Sequence, residues 1–186
     1  NLNNAKFFAG HSLGEYTALV CSNSLTLENA AYLLKARGKF MQEAVPAGEG
    51  AMLAVLGMKP DEVEKEIEML SKENICEVAN DNSNTQVVVS GKRKNIENFG
   101  KILKTKKKKA IILPVSAPFH SSLMSSAASK MQDKINNTDF AVPKPNIISN
   151  VTAKEENDIN KIKSLLVDQI TSRVRWRESI EYMLKQ

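Results

Sequence analysis

The chain has 186 residues, of which 42% are hydrophobic and 25% charged, and its formal net charge is +5. This length suits one ordinary domain or one domain with a small insert, and the apolar fraction excludes a largely disordered chain. No apolar stretch approaches the roughly 18 residues of a membrane span, the N-terminal residues lack a signal-peptide pattern, and the aromatic residues do not interleave with lysines as nucleic-acid binding requires.

The first quarter of the chain predicts a strand, a tight turn and two helices. Apolar residues from Ala5 to Ala9 predict the strand, and a helix-like run follows from Leu13 to Cys21. Thr26 is the predicted N-cap of a long helix from Leu27 to Val45, which ends at the turn 46–50.

The next segment predicts a β-α-β-β-α-β order. The predicted elements are a strand Ala51–Leu56, a helix from Pro60 to about Leu70, strands Ile75–Ala79 and Gln86–Ser90 around a turn Asp81–Asn84, a helix Arg93–Lys104 and a strand Ala110–Leu113. This order is typical of a ferredoxin-like unit. We therefore expect residues 47–113 to form a small ferredoxin-like subdomain inserted in a larger α/β domain.

The larger domain would comprise residues 1–46 and 114–186. Its second part predicts a helix Ser122–Ile135, a short strand Asn146–Ser149, and helices Ile159–Ile170 and Trp176–Leu184. The predicted fold class is α/β, with a hydrolase-like parallel-sheet core and the inserted subdomain. Because the first strand has nothing before it to pair with, we expect the chain to be a fragment of a longer protein.

The lysines and cysteines indicate the surroundings of the protein and do not indicate a catalytic reaction. Lys101, Lys104 and the run 106–109 concentrate positive charge, which indicates a solvated face or, alternatively, steering of an acidic partner. Cys21 and Cys76 have neither metal-ligand nor redox spacing, so we expect reduced thiols and a cytoplasmic protein.

The segment Gly10-His11-Ser12-Leu13-Gly14 fits G-x-S-x-G between a predicted strand and a helix. This is the setting of a nucleophile elbow, although a chance match in a Gly/Ser turn is the alternative. We expect Gly10 and Gly14 to relieve crowding, the Ser12 hydroxyl to be exposed, and the Leu13 amide to point toward a developing oxyanion.

A serine nucleophile needs a base within hydrogen-bond reach. The side chain of His11 should diverge from its neighbour Ser12, which leaves His120 as the candidate base, with protonation near the ordinary histidine range. The acids between Ser12 and His120 fall mostly on elements of the small domain. A backbone carbonyl or an amide is therefore the expected orienting group for the imidazole.

Arg37 lies in the middle of the apolar stripe of its predicted helix, with no acid three or four residues away. A snorkelling side chain with a solvated head is one interpretation. The other is that the guanidinium pairs with a carboxylate of the substrate, since an unpaired buried charge is costly.

Three motifs together resemble the bacterial malonyl-CoA:acyl carrier protein transacylase family of acyltransferase domains. They are Gly10-His11-Ser12-Leu13-Gly14-Glu15-Tyr16, Arg37-Gly38-Lys39-Phe40-Met41-Gln42 and Ser116-Ala117-Pro118-Phe119-His120-Ser121. The resemblance covers essentially the whole chain. The chain lacks the family's N-terminal strand, whose turn supplies a second oxyanion donor. It also lacks a C-terminal portion of the family's sequence.

The resemblance implies a role for each matching residue. Ser12 would be acylated, His120 would be general base and acid, and the backbone carbonyl of Gln169 would orient the histidine. Arg37 would pair with the malonyl carboxylate, and the Leu13 amide would donate to the oxyanion. Asn80 and Asn82 would line the cleft between the domains, and Phe119 would narrow the acyl pocket toward malonyl.

The implied activity is malonyl transfer from malonyl-CoA to the phosphopantetheine thiol of acyl carrier protein in fatty acid biosynthesis. Neither a metal nor a bound cofactor is implied, and we expect a monomer when the protein is complete. A polyketide synthase acyltransferase domain, a serine esterase and an inactive binding fragment are the alternatives. Arg37 discriminates against the esterase, which needs no buried cation.

Overall fold

The computed structural model describes residues 4–70, 76–115 and 117–186. Its strands are β1 (Phe8–Ala9), β2 (Gly50–Leu56), β3 (Cys76–Ser83), β4 (Gln86–Lys92), β5 (Lys109–Ile112), β6 (Ile147–Ile148) and β7 (Glu155–Glu156). Its helices are α1 (Gly14–Cys21), α2 (Leu27–Glu43), α3 (Pro60–Glu68), α4 (Arg93–Thr105), α5 (Ser125–Asn136), α6 (Ile159–Asp168) and α7 (Trp176–Leu184). The chain is therefore α/β, as predicted.

The four-stranded sheet is antiparallel, in the order β3-β4-β2-β5. Alternate residues of β2 face opposite sides, as the pleat requires. Leu53 and Val55 join a core with Ile96 and Phe99 of α4, whereas the residues on the other face pack against Phe119. The predicted element order of this segment is confirmed, and its second face forms one wall of the site described below.

The second sheet has three strands in the order β1-β6-β7. Within the described residues its only parallel pair is β1 with β6, and β7 is antiparallel to β6. Helices α1, α2, α5 and α6 supply most of the buried core beside it. Because β1 and β6 are parallel, the residues that follow both strands meet at one edge of the sheet.

Several predicted boundaries shift, and one prediction is wrong. Asp81 and Asn82 belong to β3 rather than to a turn, which falls instead at residues 84–85. Asp81 is buried and paired with Arg177, so a tertiary contact overrides the turn preference of its residue type. A 3₁₀ turn over residues 122–124 precedes α5, the short strand β7 was missed, and Ile75 lies outside the described residues.

The segment that precedes α7 pairs with β3 of the four-stranded sheet through a parallel bridge between Asn80 and Val174. The amide of Asp81 donates to the carbonyl of Val174 at 2.9 Å, and the Val174 amide donates to Ala79 at 2.8 Å. The Arg177 guanidinium donates to both carboxylate oxygens of Asp81, at 3.0 and 2.7 Å. Within the described residues no helix is long and apolar enough to cross a membrane.

Loss of the Arg177 guanidinium should destabilise the fold. Arg177→Ala leaves the Asp81 carboxylate buried without its cation, which we expect to lower the free energy of unfolding by about 3–5 kcal/mol. Urea denaturation measures the change. Arg175→Ala, which breaks a more exposed ion pair with Glu178, is the matched control and should cost less than about 1 kcal/mol. Equal effects for the two arginines would contradict the account.

Candidate active site

The turn between β1 and α1 has the strained geometry expected of a nucleophile elbow. Ser12 has a φ of 53°, in the left-handed region that non-glycine residues rarely adopt. A Cβ on Gly10 would lie 1.9 Å from the carbonyl oxygen of Gly14, so only glycine fits there. A Cβ on Gly14 itself would meet nothing within 4 Å. The close approach therefore constrains only the first of the two glycines.

The Ser12 hydroxyl faces His120. Its Oγ lies 2.7 Å from Nε2 of the imidazole, and Nδ1 lies 2.8 Å from the carbonyl oxygen of Gln169. A carbonyl only accepts hydrogen bonds, so Nδ1 carries the proton and Nε2 presents its lone pair to the hydroxyl. The structure thus brings together the serine, the histidine and the orienting carbonyl that the sequence analysis named.

Burial keeps this imidazole neutral. His120 is 5% exposed, and burial, with a smaller contribution from the Arg37 charge, lowers its pKa to about 4. This value lies below the ordinary histidine range expected from the sequence. The cause is that a charged imidazole would lose its hydration and lie near a cation. At neutral pH the ring is therefore available as a base.

Arg37 points into the site rather than into solvent. It is 7% exposed, and its Nη2 donates to Ser12 Oγ and to Gln169 Oε1, both at 3.0 Å. Its Nε is buried and has no hydrogen-bond partner among the residues that the structure describes. Across the described ranges no carboxylate forms an ion pair with Arg37, and burial lowers its pKa. The snorkelling interpretation is wrong for this side chain.

The side chain of Gln169 contributes contacts that the sequence analysis did not anticipate. Besides accepting from Arg37, its carboxamide nitrogen donates to Glu15 Oε2 at 2.7 Å and to the Ser12 carbonyl at 3.1 Å. Gln169 directly follows α6 and is fully buried. One residue therefore contacts Ser12, His120 and Arg37.

Two further residues of the site were missed. Asn150 accepts from the Ser12 amide at 2.7 Å and donates to the Gly10 carbonyl at 2.8 Å. Its position after the predicted strand 146–149, at the same sheet edge as the elbow, was the available signal. Glu15 is 1% exposed, and burial raises its pKa to about 7. An acid within the otherwise apolar start of α1 was the signal for it.

The remaining candidate residues line the cleft or its mouth. His11 diverges from the Ser12 hydroxyl, donates from Nε2 to Asn82 Oδ1 at 2.8 Å and lies edge-on to Trp176. The backbone N–H of Ser12 donates a hydrogen bond to the Asn150 side chain, whereas the backbone N–H of Leu13 has no acceptor in the portion of the chain that the structure describes. Ser116 lies outside the described residues.

A cavity of about 370 Å³ opens at Ser12 between the two sheets. Its lining residues, drawn from both parts of the chain, are His11, Ser12, Arg37, Gly38, Met41, Met52, Asn80, Leu113, Phe119 and His120. The lining is mainly apolar, with one cation beside the nucleophile. Over residues 4–70, 76–115 and 117–186, no three His, Cys, Asp or Glu side chains group as metal ligands.

An elbow serine, a neutral histidine and a ready amide donor beside a cavity define the serine-nucleophile class of acyl-transfer sites. The model of the family described as "Acyl transferase domain" matches residues 3–185. The chain therefore belongs to the acyl transferase domain family.

Several relatives of this chain bear the name malonyl CoA-acyl carrier protein transacylase. Those of Bacillus subtilis and Escherichia coli K12 are 42% and 40% identical over 97% and 96% of this chain. The crystal structure of an acyl-carrier-protein-S-malonyltransferase from Bartonella henselae is 43% identical over the whole chain, with a TM-score of 0.95. The chain spans 57%, 58% and 59% of the lengths of these three proteins, respectively.

The low pKa of His120 should appear in the pH dependence of Ser12 reactivity. Only the neutral imidazole accepts the serine proton, so reactivity should fall as the pH drops through about 4. Labelling by a serine-directed phosphonate, followed by mass spectrometry, measures the midpoint. Arg37→Gln removes a nearby positive charge and should raise the midpoint. A wild-type midpoint near 6.5, the ordinary value, would contradict the assignment.

Proposed function

We propose that this protein transfers a malonyl group from malonyl-CoA to the phosphopantetheine thiol of acyl carrier protein in fatty acid biosynthesis. The observation that carries the proposal is the Arg37 guanidinium. Its Nη2 lies 3.0 Å from Oγ of Ser12, and its Nε has no hydrogen-bond partner within the described ranges. A plain esterase has no use for such a cation. The names of the relatives, which are about 40% identical, support the same activity.

The reaction proceeds through a malonyl-Ser12 intermediate. His120 Nε2 takes the hydroxyl proton while Ser12 Oγ attacks the thioester carbonyl. The Leu13 amide donates to the resulting oxyanion. When the carbon–sulfur bond breaks, the imidazolium returns the proton to the CoA sulfur. The carrier thiol then gives its proton to His120 and attacks the ester, and Ser12 recovers the proton as it leaves.

Arg37 would bind the free carboxylate of the malonyl group. A guanidinium matches a carboxylate bidentately, and the low dielectric of a buried site strengthens the pair. Phe119, which lines the cavity beside His120, would limit the size of the acyl group. Asn80 and Asn82 would line the approach from the small domain. CoA and phosphopantetheine enter as substrates, and the reaction requires no resident metal or cofactor.

The proposal extends to domain architecture. We assign residues 1–46 and 114–186 to a hydrolase-like catalytic domain and residues 47–113 to a ferredoxin-like subdomain. The strand order β3-β4-β2-β5 and the packing of α3 and α4 on one face support the second assignment. The cavity would then lie between the two domains, where enzyme sites commonly occur.

A polyketide carrier protein is the second candidate acceptor. A malonyl-transacylase solved in complex with a type II polyketide synthase acyl-carrier protein is 37% identical to this chain, with a TM-score of 0.93. The chemistry at Ser12 would be the same. Parallel assays with fatty acid and polyketide carrier proteins discriminate between the two acceptors.

Ser12 should become malonylated. The full-length gene product is incubated with malonyl-CoA and denatured, and the adduct is then mapped by mass spectrometry. We expect a single malonyl ester on Ser12 and a loss of turnover of about 10⁴-fold or more in Ser12→Ala, as for other nucleophile deletions. Cys21→Ser is the control and should label normally. A label that persists in Ser12→Ala would overturn the assignment.

Arg37 should determine which acyl group is transferred. Arg37→Ala removes one partner of a buried charge pair, so kcat/KM for malonyl-CoA should fall roughly 10²- to 10³-fold. The kcat/KM for acetyl-CoA should stay equal or rise. Arg37→Lys should recover little, because an ammonium cannot form the two-pronged contact. An unchanged malonyl-to-acetyl ratio in Arg37→Ala would refute the proposed carboxylate contact.

A further inference from the structure

Glu15 is a buried carboxyl group that the proposed mechanism does not use. It lies in the first turn of α1, three residues beyond the nucleophile. Its Oε2 accepts from the side-chain carboxamide of Gln169 at 2.7 Å and from the backbone N–H of Asn150 at 3.2 Å. In the described part of the chain it forms no ion pair. A nearly inaccessible acid with two neutral donors requires a physical explanation.

Glu15 is one of the groups that determine which way the Gln169 carboxamide points. The nitrogen of that carboxamide faces two acceptors, Glu15 Oε2 and the Ser12 carbonyl. While Glu15 is ionised, the reverse orientation would place the carboxamide oxygen against two oxygen atoms that carry no hydrogen. Glu15 therefore favours the orientation in which Gln169 Oε1 is presented on the opposite side.

On that opposite side, Gln169 Oε1 accepts from Arg37 Nη2 at 3.0 Å. The same nitrogen donates to Ser12 Oγ. In the reverse orientation, the carboxamide NH₂ would face a guanidinium that also has only donors. The chain Glu15–Gln169–Arg37 thus transmits a preference from a buried acid to the cation beside the nucleophile.

The charges are consistent with this arrangement. Burial raises the pKa of Glu15, and the positive charge of Arg37 partly offsets that rise, while Glu15 in turn favours the charged form of Arg37. Tyr16, the next residue, is also electrostatically coupled to Glu15, and burial raises the pKa of Tyr16 to about 12. Glu15 and Arg37 are therefore coupled without direct contact.

We propose that Glu15 is a positioning residue which, through the Gln169 carboxamide, holds the Arg37 guanidinium at Ser12 and thereby sets the preference for acyl groups with a free carboxylate. The expected effect of Glu15 on substrate choice rests on the proposed function. The coupling between the two charges does not depend on it. A role limited to supporting the elbow through Asn150 is the alternative.

The first test uses Glu15→Gln, which keeps the shape and one acceptor but loses the charge and adds a donor. In the full-length protein, kcat/KM for malonyl-CoA should fall roughly 10- to 100-fold, the scale of a lost charged hydrogen bond. The fall should appear chiefly in KM, with acetyl-CoA nearly unaffected. In an Arg37→Ala background, Glu15→Gln should no longer change the malonyl-to-acetyl ratio.

Ser22→Ala is the matched control, because it removes another buried side-chain hydrogen bond just beyond the end of α1, to the Leu19 carbonyl at 3.0 Å. Its malonyl-to-acetyl ratio should equal that of the wild type. An equal loss for both acyl groups in Glu15→Gln would assign Glu15 to elbow support alone. An effect on the ratio that persists without Arg37 would also overturn the proposal.

The second test needs neither substrate nor the Glu15 variant. Carbon-13 NMR follows the titration of the Glu15 carboxyl in the wild type and in Arg37→Gln. The midpoint should rise in Arg37→Gln because a nearby cation is lost. An unchanged midpoint overturns the coupling even if malonyl transfer is observed. If the wild type transfers no malonyl group, the proposed function fails, and this titration still decides the coupling.

Discussion

The site depends on the position of one buried residue, Gln169. Its main-chain carbonyl holds the His120 ring in the tautomer that accepts a proton, and its side chain binds the Ser12 carbonyl and the Arg37 guanidinium. Because a carbonyl replaces the usual carboxylate, the imidazolium formed during reaction has no directly bonded anion to stabilise it. Burial is the main reason why His120 is neutral, and the nearby Arg37 charge adds to the cost of an imidazolium.

The proposed nucleophile and the proposed base both have strained backbone conformations. Ser12 and His120 have φ values of 53° and 56°, and such conformations cost on the order of 1–3 kcal/mol each. The surrounding structure has to compensate for this cost. The Asn150 side chain does so at the elbow by satisfying the Gly10 carbonyl and the Ser12 amide together. In this conformation the Ser12 hydroxyl lies 2.7 Å from Nε2 of His120.

Local patterns predicted part of this arrangement. The elbow was predictable because G-x-S-x-G between a strand and a helix constrains the backbone directly, and Arg37 was conspicuous because it interrupts an apolar stripe. The Gln169 carbonyl entered only through a family resemblance. Asn150 was not predicted, because its bond to Ser12 joins positions 138 residues apart. Asp81 was misplaced in a turn because its partner, Arg177, lies 96 residues away.

The central claim is that His120 is a neutral base held by a carbonyl rather than by a carboxylate. Nitrogen-15 NMR of the His120 ring in the wild-type protein tests it most directly, because the shifts of the two nitrogens distinguish the tautomers and the imidazolium. The account predicts a protonated Nδ1 and an unprotonated Nε2 throughout the range from pH 6 to pH 8. An imidazolium at pH 7, or a proton on Nε2 with Nδ1 bare, would contradict it.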